Sequence, residues 1–209
     1  LGVLADLQGP KIRVGVFPEG ALQLRFHGEY ALAAGKTTEA EDTIPVPHPE
    51  ILKVLEVGDR ILLDDGKLQL SVISSGDSIQ VRADVPGRLT DKKGFTVLGK
   101  TIPVPALTDK DRADLEFACG LGVDFIALSF VQLREDLEEA RALMNGRGRL
   151  VAKIEKPSAI TNLDDIIHAA DAIMVARGDL GVEFPPEQVP ILQRRVVRAS
   201  RAAGKPVIV

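Results

Sequence analysis

Short apolar runs alternate with amphipathic segments from Thr108 to the end of the chain. The run VDFIALSF is long enough for a buried strand. The segment LREDLEEARALM follows it, and its apolar residues recur at helical spacing: Leu133, Leu137, Ala140 and Met144. The alternation continues through RLVAKIE, AITNLDDIIHAA, DAIMVARGD, EQVPILQRRVVRASRAAG and KPVIV. Fully apolar strands that alternate with helices are typical of a parallel sheet covered by helices, so the pattern predicts an α/β domain.

Residues 11–105 follow a different pattern, in which apolar and polar positions alternate at period two. Such alternation is typical of half-buried strands, and the dipeptide Asp65-Gly66 between two apolar runs indicates a hairpin. Prolines flank the region on both sides: Pro10, Pro103 and Pro105. We therefore predict an all-β domain at 11–105, inserted into an α/β domain formed by 1–10 and 106–209.

The composition excludes several classes of protein. The 209 residues are 45% hydrophobic and 27% charged, which is ordinary for a globular protein in water. The net charge is −4 and no basic run stands out, which argues against a nucleic-acid partner. No apolar run reaches membrane-spanning length, and the single cysteine, Cys119, fits a reducing compartment. We therefore expect a cytoplasmic protein with no membrane partner, and the apolar runs at both chain ends suggest part of a longer protein.

The ends of the predicted strands hold the first candidates for a site, because parallel α/β proteins bind ligands beyond the carboxyl ends of their strands. These ends carry Asp6, Ser129, Lys153, Glu155 and Asp179. Lys153 and Glu155 are two residues apart and share one face of their strand. Carboxylates from neighbouring strands suit a hard cation such as Mg²⁺. A lysine beside that cation would suit a phosphorylated or enolate-forming substrate, whose developing charge needs fixed positive groups.

The same residues also have purely structural interpretations, which the sequence leaves open. Lys153 and Glu155 could form an ion pair at the mouth of a barrel. Asp179 could cap the helix that follows its strand. Asp64 and Asp65 are best explained by the hairpin turn in which they lie.

Taken together, the motifs of the chain resemble those of the pyruvate kinase family. The segments that carry the resemblance occur in the family's order: ADLQGPKIRVG, LLDDGKLQLSV, KKGFTVLGKTIPVPALTDKD, VDFIALSFV, AKIEKPSAI, IMVARGDLGVEFP and GKPVIV. The resemblance covers nearly the whole chain, and KIE together with ARGDLG is its most specific part. It implies a partial TIM (β/α)8 barrel, about strands three to seven, with an inserted β-barrel-like lid domain. It also implies phosphoryl transfer from phosphoenolpyruvate to ADP, giving pyruvate and ATP.

The resemblance implies roles for residues of the α/β domain. Lys153 would stabilise the transferring phosphoryl group and the developing enolate. Glu155 and Asp179 would hold Mg²⁺, or Mn²⁺ in its place. The substrate contacts would come from Lys153, Ser129, Gly178 and Asp179.

Residues nearer the amino terminus also match functional positions of the family. Arg13 and, from the lid, Lys93 would reach the nucleotide phosphates. Asp6 matches a residue that helps to hold a monovalent cation. Lys11 stands where potassium-requiring members carry Glu, and its ammonium would supply the charge of that ion. The pattern therefore resembles the potassium-independent members, which implies that K⁺ is not required, although Lys11 could instead point into solvent at the domain hinge.

The family's barrel has eight strands, so the resemblance implies that part of the active site lies outside this chain. We expect a homotetramer for the full-length protein and no activity for the isolated fragment. Two alternatives stay open. One is a metal-dependent lyase that acts on pyruvate or phosphoenolpyruvate in a similar barrel, although such an enzyme needs no lid carrying Lys93. The other is a non-catalytic fragment that binds Mg²⁺ or phosphate.

Overall fold

A computed structural model describes residues 1–76, 78–100 and 104–209 of the chain. The chain divides into two compact units, of which one comprises Leu1–Pro10 with Val104–Val209 and the other comprises Lys11–Pro103. We call the first the α/β unit and the second the β unit. Pro103, one of the prolines that flank the predicted β domain, lies outside the described residues.

The described elements change in character along the chain, from strands to alternating strands and helices. The elements up to Val97 are β1 (Leu4–Asp6), β2 (Ala21–Leu24), β3 (Glu29–Ala34), β4 (Thr43–Val46), α1 (Pro49–Leu52), β5 (Arg60–Leu63), β6 (Leu68–Ser74), β7 (Ile79–Val85), β8 (Gly87–Thr90) and β9 (Phe95–Val97). The later elements are α2 (Asp109–Gly120), β10 (Phe125–Leu128), α3 (Arg134–Met144), β11 (Arg149–Ile154), α4 (Pro157–Thr161), α5 (Leu163–Ala169), β12 (Ala172–Val175), α6 (Arg177–Glu183), α7 (Val189–Ala202) and β13 (Val207–Ile208).

The α/β unit contains a parallel sheet in which the strand order follows the chain, β1-β10-β11-β12-β13. Each new strand is added at the same edge, and helices connect β10 to β11, β11 to β12 and β12 to β13. A doubly wound sheet would reverse its strand order at a switch point, whereas a (β/α) barrel continues in one direction. The α/β architecture predicted from the sequence is therefore present, with the topology of part of a barrel.

The two faces of this sheet differ in what covers them. One face packs against the helices in a large apolar core that includes Ile126, Leu128, Leu150, Ile154 and Ile173. The opposite face holds a smaller apolar group of Ala127, Val151 and Ala172, against which Leu4, Phe125 and Met174 pack. Because side chains two apart share a face, the second face continues from Leu4 to Asp6 and from Val151 to Lys153. Polar side chains therefore follow the small apolar group at the carboxyl ends of the strands.

The β unit consists mainly of antiparallel strands. Among the described residues, β2 pairs with β8, and a second sheet has the order β4-β3-β7-β6-β5-β9. The predicted hairpin is confirmed, since β5 and β6 pair in antiparallel register from Arg60–Ser71 to Leu63–Leu68. The all-β prediction missed one element, the single-turn helix α1 at Pro49–Leu52. No described helix of either unit has the length and apolar character needed to cross a membrane.

Candidate active site

Lys153 lies at the centre of a polar cluster on the β-sheet face described above. Its Nζ atom is 3.0 and 3.2 Å from the two carboxylate oxygens of Asp6, and it donates a 2.8 Å hydrogen bond to Ser129 Oγ. Glu155 Oε1 lies 3.2 Å from the same Nζ atom. The four side chains come from the ends of β1, β10 and β11. The structure therefore brings together four of the five residues that the sequence marked at strand ends.

Glu155 is a buried carboxylate, with only 1% of its side chain exposed. Its second oxygen, Oε2, accepts a 2.8 Å hydrogen bond from the backbone N–H of Phe130. Burial raises the pKa of Glu155, and the nearby charge of Asp179 raises it further, against the attraction of Lys153 and the Phe130 N–H. A carboxylate in these surroundings favours an additional cation, because a cation would offset both unfavourable effects.

Lys153 keeps its charge although its side chain is only 13% exposed. Burial disfavours the ammonium form, but the charge of Glu155 and the hydrogen bond to Asp6 outweigh burial, so the pKa of Lys153 is raised. Lys153 and Glu155 thus form the ion pair that the structural interpretation describes. It does not exclude a functional site, because the same contacts hold a charged ammonium at the carboxyl end of a strand.

Ser129 and two residues that the sequence analysis missed, Gly9 and Asp111, hold the loop after β1 against this cluster. Ser129 Oγ donates a 2.7 Å hydrogen bond to Leu7 O, and Gly9 N donates a 2.9 Å bond to Oδ1 of the fully buried Asp111. Gly9 has φ +67°, and a Cβ atom there would lie 2.9 Å from Ser129 Cβ and from Phe130 Cδ2. The sequence signal for Asp111 was the spacing Thr108-x-x-Asp111, which forms a capping box at the start of α2.

Asp179 is half-buried and lies in the first turn of α6, which directly follows β12. The alternative that Asp179 caps this helix is wrong, because α6 begins at Arg177 and the N-cap position belongs to Ala176. Gly178, the predicted substrate contact, is exposed in the same turn. In the described ranges, no group of three or more His, Cys, Asp or Glu side chains has the arrangement of a metal site. The Mg²⁺ role of Glu155 and Asp179 therefore stays a prediction.

The predicted nucleotide residues Arg13 and Lys93 belong to the β unit. Arg13 Nη1 donates a 2.9 Å hydrogen bond to Lys92 O, and Lys93 Nζ lies 2.8 Å from Asp64 Oδ1. Asp64 therefore does more than serve the hairpin turn. Sequence spacing did not indicate its contact with Lys93. Lys11, the residue of the monovalent-cation prediction, has its Nζ atom 3.7 Å from Asp65 Oδ1. The functional roles of these residues stay predictions.

The fold and the cluster together define the class of protein: an α/β barrel protein whose polar site lies at the carboxyl ends of its parallel strands. A family model described as "Pyruvate kinase, barrel domain" matches residues 1–209. The chain belongs to the pyruvate kinase family. This finding confirms the resemblance inferred from the motifs, and with it the fold class of a partial (β/α)8 barrel.

Individual relatives agree with the family match. The chain is 49% identical over 211 residues to a pyruvate kinase of Agrobacterium vitis and to one of Methylorubrum extorquens, and 44% identical over 213 residues to one of Mycobacterium tuberculosis. Each comparison covers the whole of this chain and 44–45% of the relative. The chain thus spans less than half the length of these curated relatives.

Proposed function

We propose that the protein to which this chain belongs transfers a phosphoryl group from phosphoenolpyruvate to ADP, giving pyruvate and ATP. Family membership supports this reaction over the lyase alternative. The observation that carries the proposal is the charged, largely buried Lys153, held by Asp6, Ser129 and Glu155 at the strand ends. A preorganised positive charge of this kind stabilises negative charge that develops in a transition state.

Lys153 is the proposed catalytic residue. Phosphoryl transfer needs positioning and charge neutralisation more than covalent chemistry. The ammonium of Lys153 is directed by three neighbours, so it needs little reorganisation when charge develops on the transferring phosphoryl group or on the enolate. Ser129 directs Lys153 through its hydroxyl oxygen, and we propose that Ser129 and Gly178 also contact the substrate.

Glu155 and Asp179 are the proposed ligands of Mg²⁺, or of Mn²⁺ in its place. Their carboxylates fit a divalent cation, because the charge of Asp179 raises the pKa of Glu155 and both side chains offer the oxygen atoms that Mg²⁺ prefers. A bound Mg²⁺ would neutralise charge on the substrate oxygens. The hydrogen bond from the Phe130 N–H, which holds one oxygen of Glu155, supports a fixed orientation for this proposed ligand.

The remaining proposals concern the β unit and the whole protein. We assign Arg13 and Lys93 to the nucleotide phosphates, as their positions in the family motifs imply. The full-length protein would act in the cytoplasm as a homotetramer and without a requirement for K⁺. An assay of the 209-residue chain alone tests the expectation that it is inactive.

The proposed reaction is tested with the full-length protein in an assay that couples pyruvate formation to NADH oxidation. Pyruvate should form from phosphoenolpyruvate only when ADP is present, and formation without ADP would favour a lyase. Lys153→Met should lower kcat by roughly 100-fold or more, a loss typical of one preorganised electrostatic group, with little change in the KM for phosphoenolpyruvate. Lys110→Met, at an exposed position on α2, is the matched control and should behave as wild type. A raised KM with unchanged kcat would reduce Lys153 to a binding residue.

A further inference from the structure

We propose that Lys156 is a positioning residue that fixes the carboxylates of Glu155 and Asp179 relative to each other. This inference rests on the metal site of the proposed function. Lys156 Nζ donates a 2.5 Å hydrogen bond to Glu183 Oε1. Lys156 directly follows Glu155 in the chain, and Glu183 lies one helical turn after Asp179 on the same side of α6. One ion pair therefore joins the two segments that carry the carboxylates.

The burial of this ion pair makes it a strong restraint on α6. The side chain of Glu183 is only 4% exposed and that of Lys156 is 26% exposed. A nearly buried carboxylate that loses its partner becomes an uncompensated charge, which is far more costly than an exposed one. Without Lys156, Glu183 would have to move towards water. A rotation of α6 that exposes Glu183 would also displace Asp179 relative to Glu155, because Glu183 and Asp179 both lie on this helix.

Lys156 also contacts the residue that holds Glu155. Its Nζ atom lies 5.5 Å from the centre of the Phe130 ring, within the range of a cation–π contact. Phe130 has φ +55°, a left-handed conformation that a bulky residue rarely adopts, and its N–H donates to Glu155 Oε2. The ring contact therefore helps to keep this backbone N–H directed at Glu155. Lys156 thus supports both carboxylates, one through Glu183 and the other through Phe130.

The charge of Lys156 and its proposed positioning role predict opposite changes in Mn²⁺ affinity when Lys156 is removed, which makes the inference testable. Lys156 is a cation near a proposed cation site, so its removal should strengthen Mn²⁺ binding if only charge matters. If Lys156 acts by positioning, Lys156→Met should instead weaken Mn²⁺ binding by about 10-fold or more, as removal of residues that orient metal ligands commonly does. Lys156→Arg should restore most of the affinity, because a guanidinium also pairs with a carboxylate and stacks on an aromatic ring.

The experiment measures the dissociation constant of Mn²⁺ by electron paramagnetic resonance on the full-length protein, with the melting temperature of each variant. The double variant Lys156→Met/Glu183→Gln leaves the net charge of the pair unchanged and no buried carboxylate unpaired, so it tests the restraint even if Lys156→Met does not fold. It should still bind Mn²⁺ more weakly than wild type. The exposed Lys110→Met is again the control.

Three results would overturn the inference: Mn²⁺ binding in Lys156→Met that is unchanged or tighter, failure of Lys156→Arg to restore affinity, or wild-type affinity in the double variant. A lower melting temperature with unchanged Mn²⁺ affinity would make the pair structural only. The assay for pyruvate is independent of this measurement. Weaker Mn²⁺ binding in a protein that makes no pyruvate from phosphoenolpyruvate and ADP would uphold the positioning role and reject the proposed reaction.

Discussion

Asp111 offers a sharp test of how the loop after β1 is held, because a single fully buried carboxylate bears the contact. Its Oδ1 atom accepts the Gly9 N–H at 2.9 Å, and its Oδ2 atom accepts the N–H and the hydroxyl of Thr108 at 3.0 and 2.5 Å. The perturbation is Asp111→Asn, which keeps the shape of the side chain. Asparagine retains one acceptor oxygen, so its amide nitrogen must face either Gly9 N–H or the Thr108 donors.

The cost of this substitution follows from the bonds it removes. Hydrogen bonds to a charged group contribute about 1.5–3 kcal/mol each, and loss of a partner leaves a buried donor unsatisfied. Asp111→Asn loses at least one such bond and weakens the others, so we expect a stability loss of about 2–4 kcal/mol. Because Leu7 O accepts from Ser129, and Ser129 accepts from Lys153, kcat should also fall.

The assay is thermal unfolding of the full-length protein together with steady-state kinetics. Asp111→Asn should lower the melting temperature by several degrees. Asp109→Asn is the matched control, because Asp109 carries the same charge in the same first turn of α2 but is exposed. Its loss should be limited to the interaction with the helix dipole, about 0.3–1 kcal/mol. Equal melting temperatures for the two variants would refute the argument that Asp111 anchors the loop.

Three further predictions address the metal, potassium and acid stability. Glu155→Gln and Asp179→Asn should each raise the Mg²⁺ concentration needed for half-maximal activity, because each removes a charged ligand. The full-length enzyme should be fully active without K⁺, and Lys11→Glu should create a K⁺ requirement. Lys93 and then Lys67 hold the pKa of Asp64 below its ordinary value, so the stability from these contacts is present above the ordinary pKa of Asp and is lost as the pH falls through the lowered value. Lys93→Met should therefore lose less thermal stability than wild type on acidification from about pH 6 to about pH 3.

Each of these predictions has its own control and its own contradicting result. Asp165→Asn, at an exposed position of α5, should leave Mg²⁺ activation unchanged, and unchanged activation in both ligand variants would exclude the proposed ligands. Potassium is varied at constant ionic strength against tetramethylammonium, and strong activation of the wild type would reject the role of Lys11. Lys67→Met should reduce acid sensitivity less than Lys93→Met, since the Lys93 contact is the shorter of the two. The reverse order would contradict the Asp64 argument.

Features that depend on local periodicity could be predicted from the sequence. The two-residue alternation at the end of β11 predicted that Lys153 and Glu155 share a face. In the structure Glu155 directly follows the last residue of β11, and its Oε1 atom lies 3.2 Å from Lys153 Nζ. The helix predicted after Phe130 is α3, at Arg134–Met144. In each case the signal lies in one short stretch of the chain, because burial of one face imposes the pattern on consecutive residues. Helix α1 has only four residues, too few for a helical period to emerge.

Contacts between segments distant in the chain could not be predicted in the same way. Gly9 and Asp111 are 102 residues apart, and Lys156 and Glu183 are 27 residues apart. Each pair joins two loops or helix ends that are distant in the chain. Hydrophobic periodicity does not constrain which residues stand at such positions. The left-handed φ of Phe130 is also a product of tertiary packing, since Phe has no local preference for that conformation. Spacing alone therefore found the charged residues of the cluster but not the contacts that orient them.

The departures from ordinary local rules in the α/β unit support a functional reading of the cluster. The sheet face opposite the helices is apolar at Ala127, Val151 and Ala172, as packing requires. At the carboxyl end of the same face, a carboxylate is buried at Glu155 and a bulky residue takes a left-handed conformation at Phe130. Such features cost stability, and proteins keep them where chemistry needs fixed charges. Their concentration around Lys153 is therefore evidence for a site, independent of the family match.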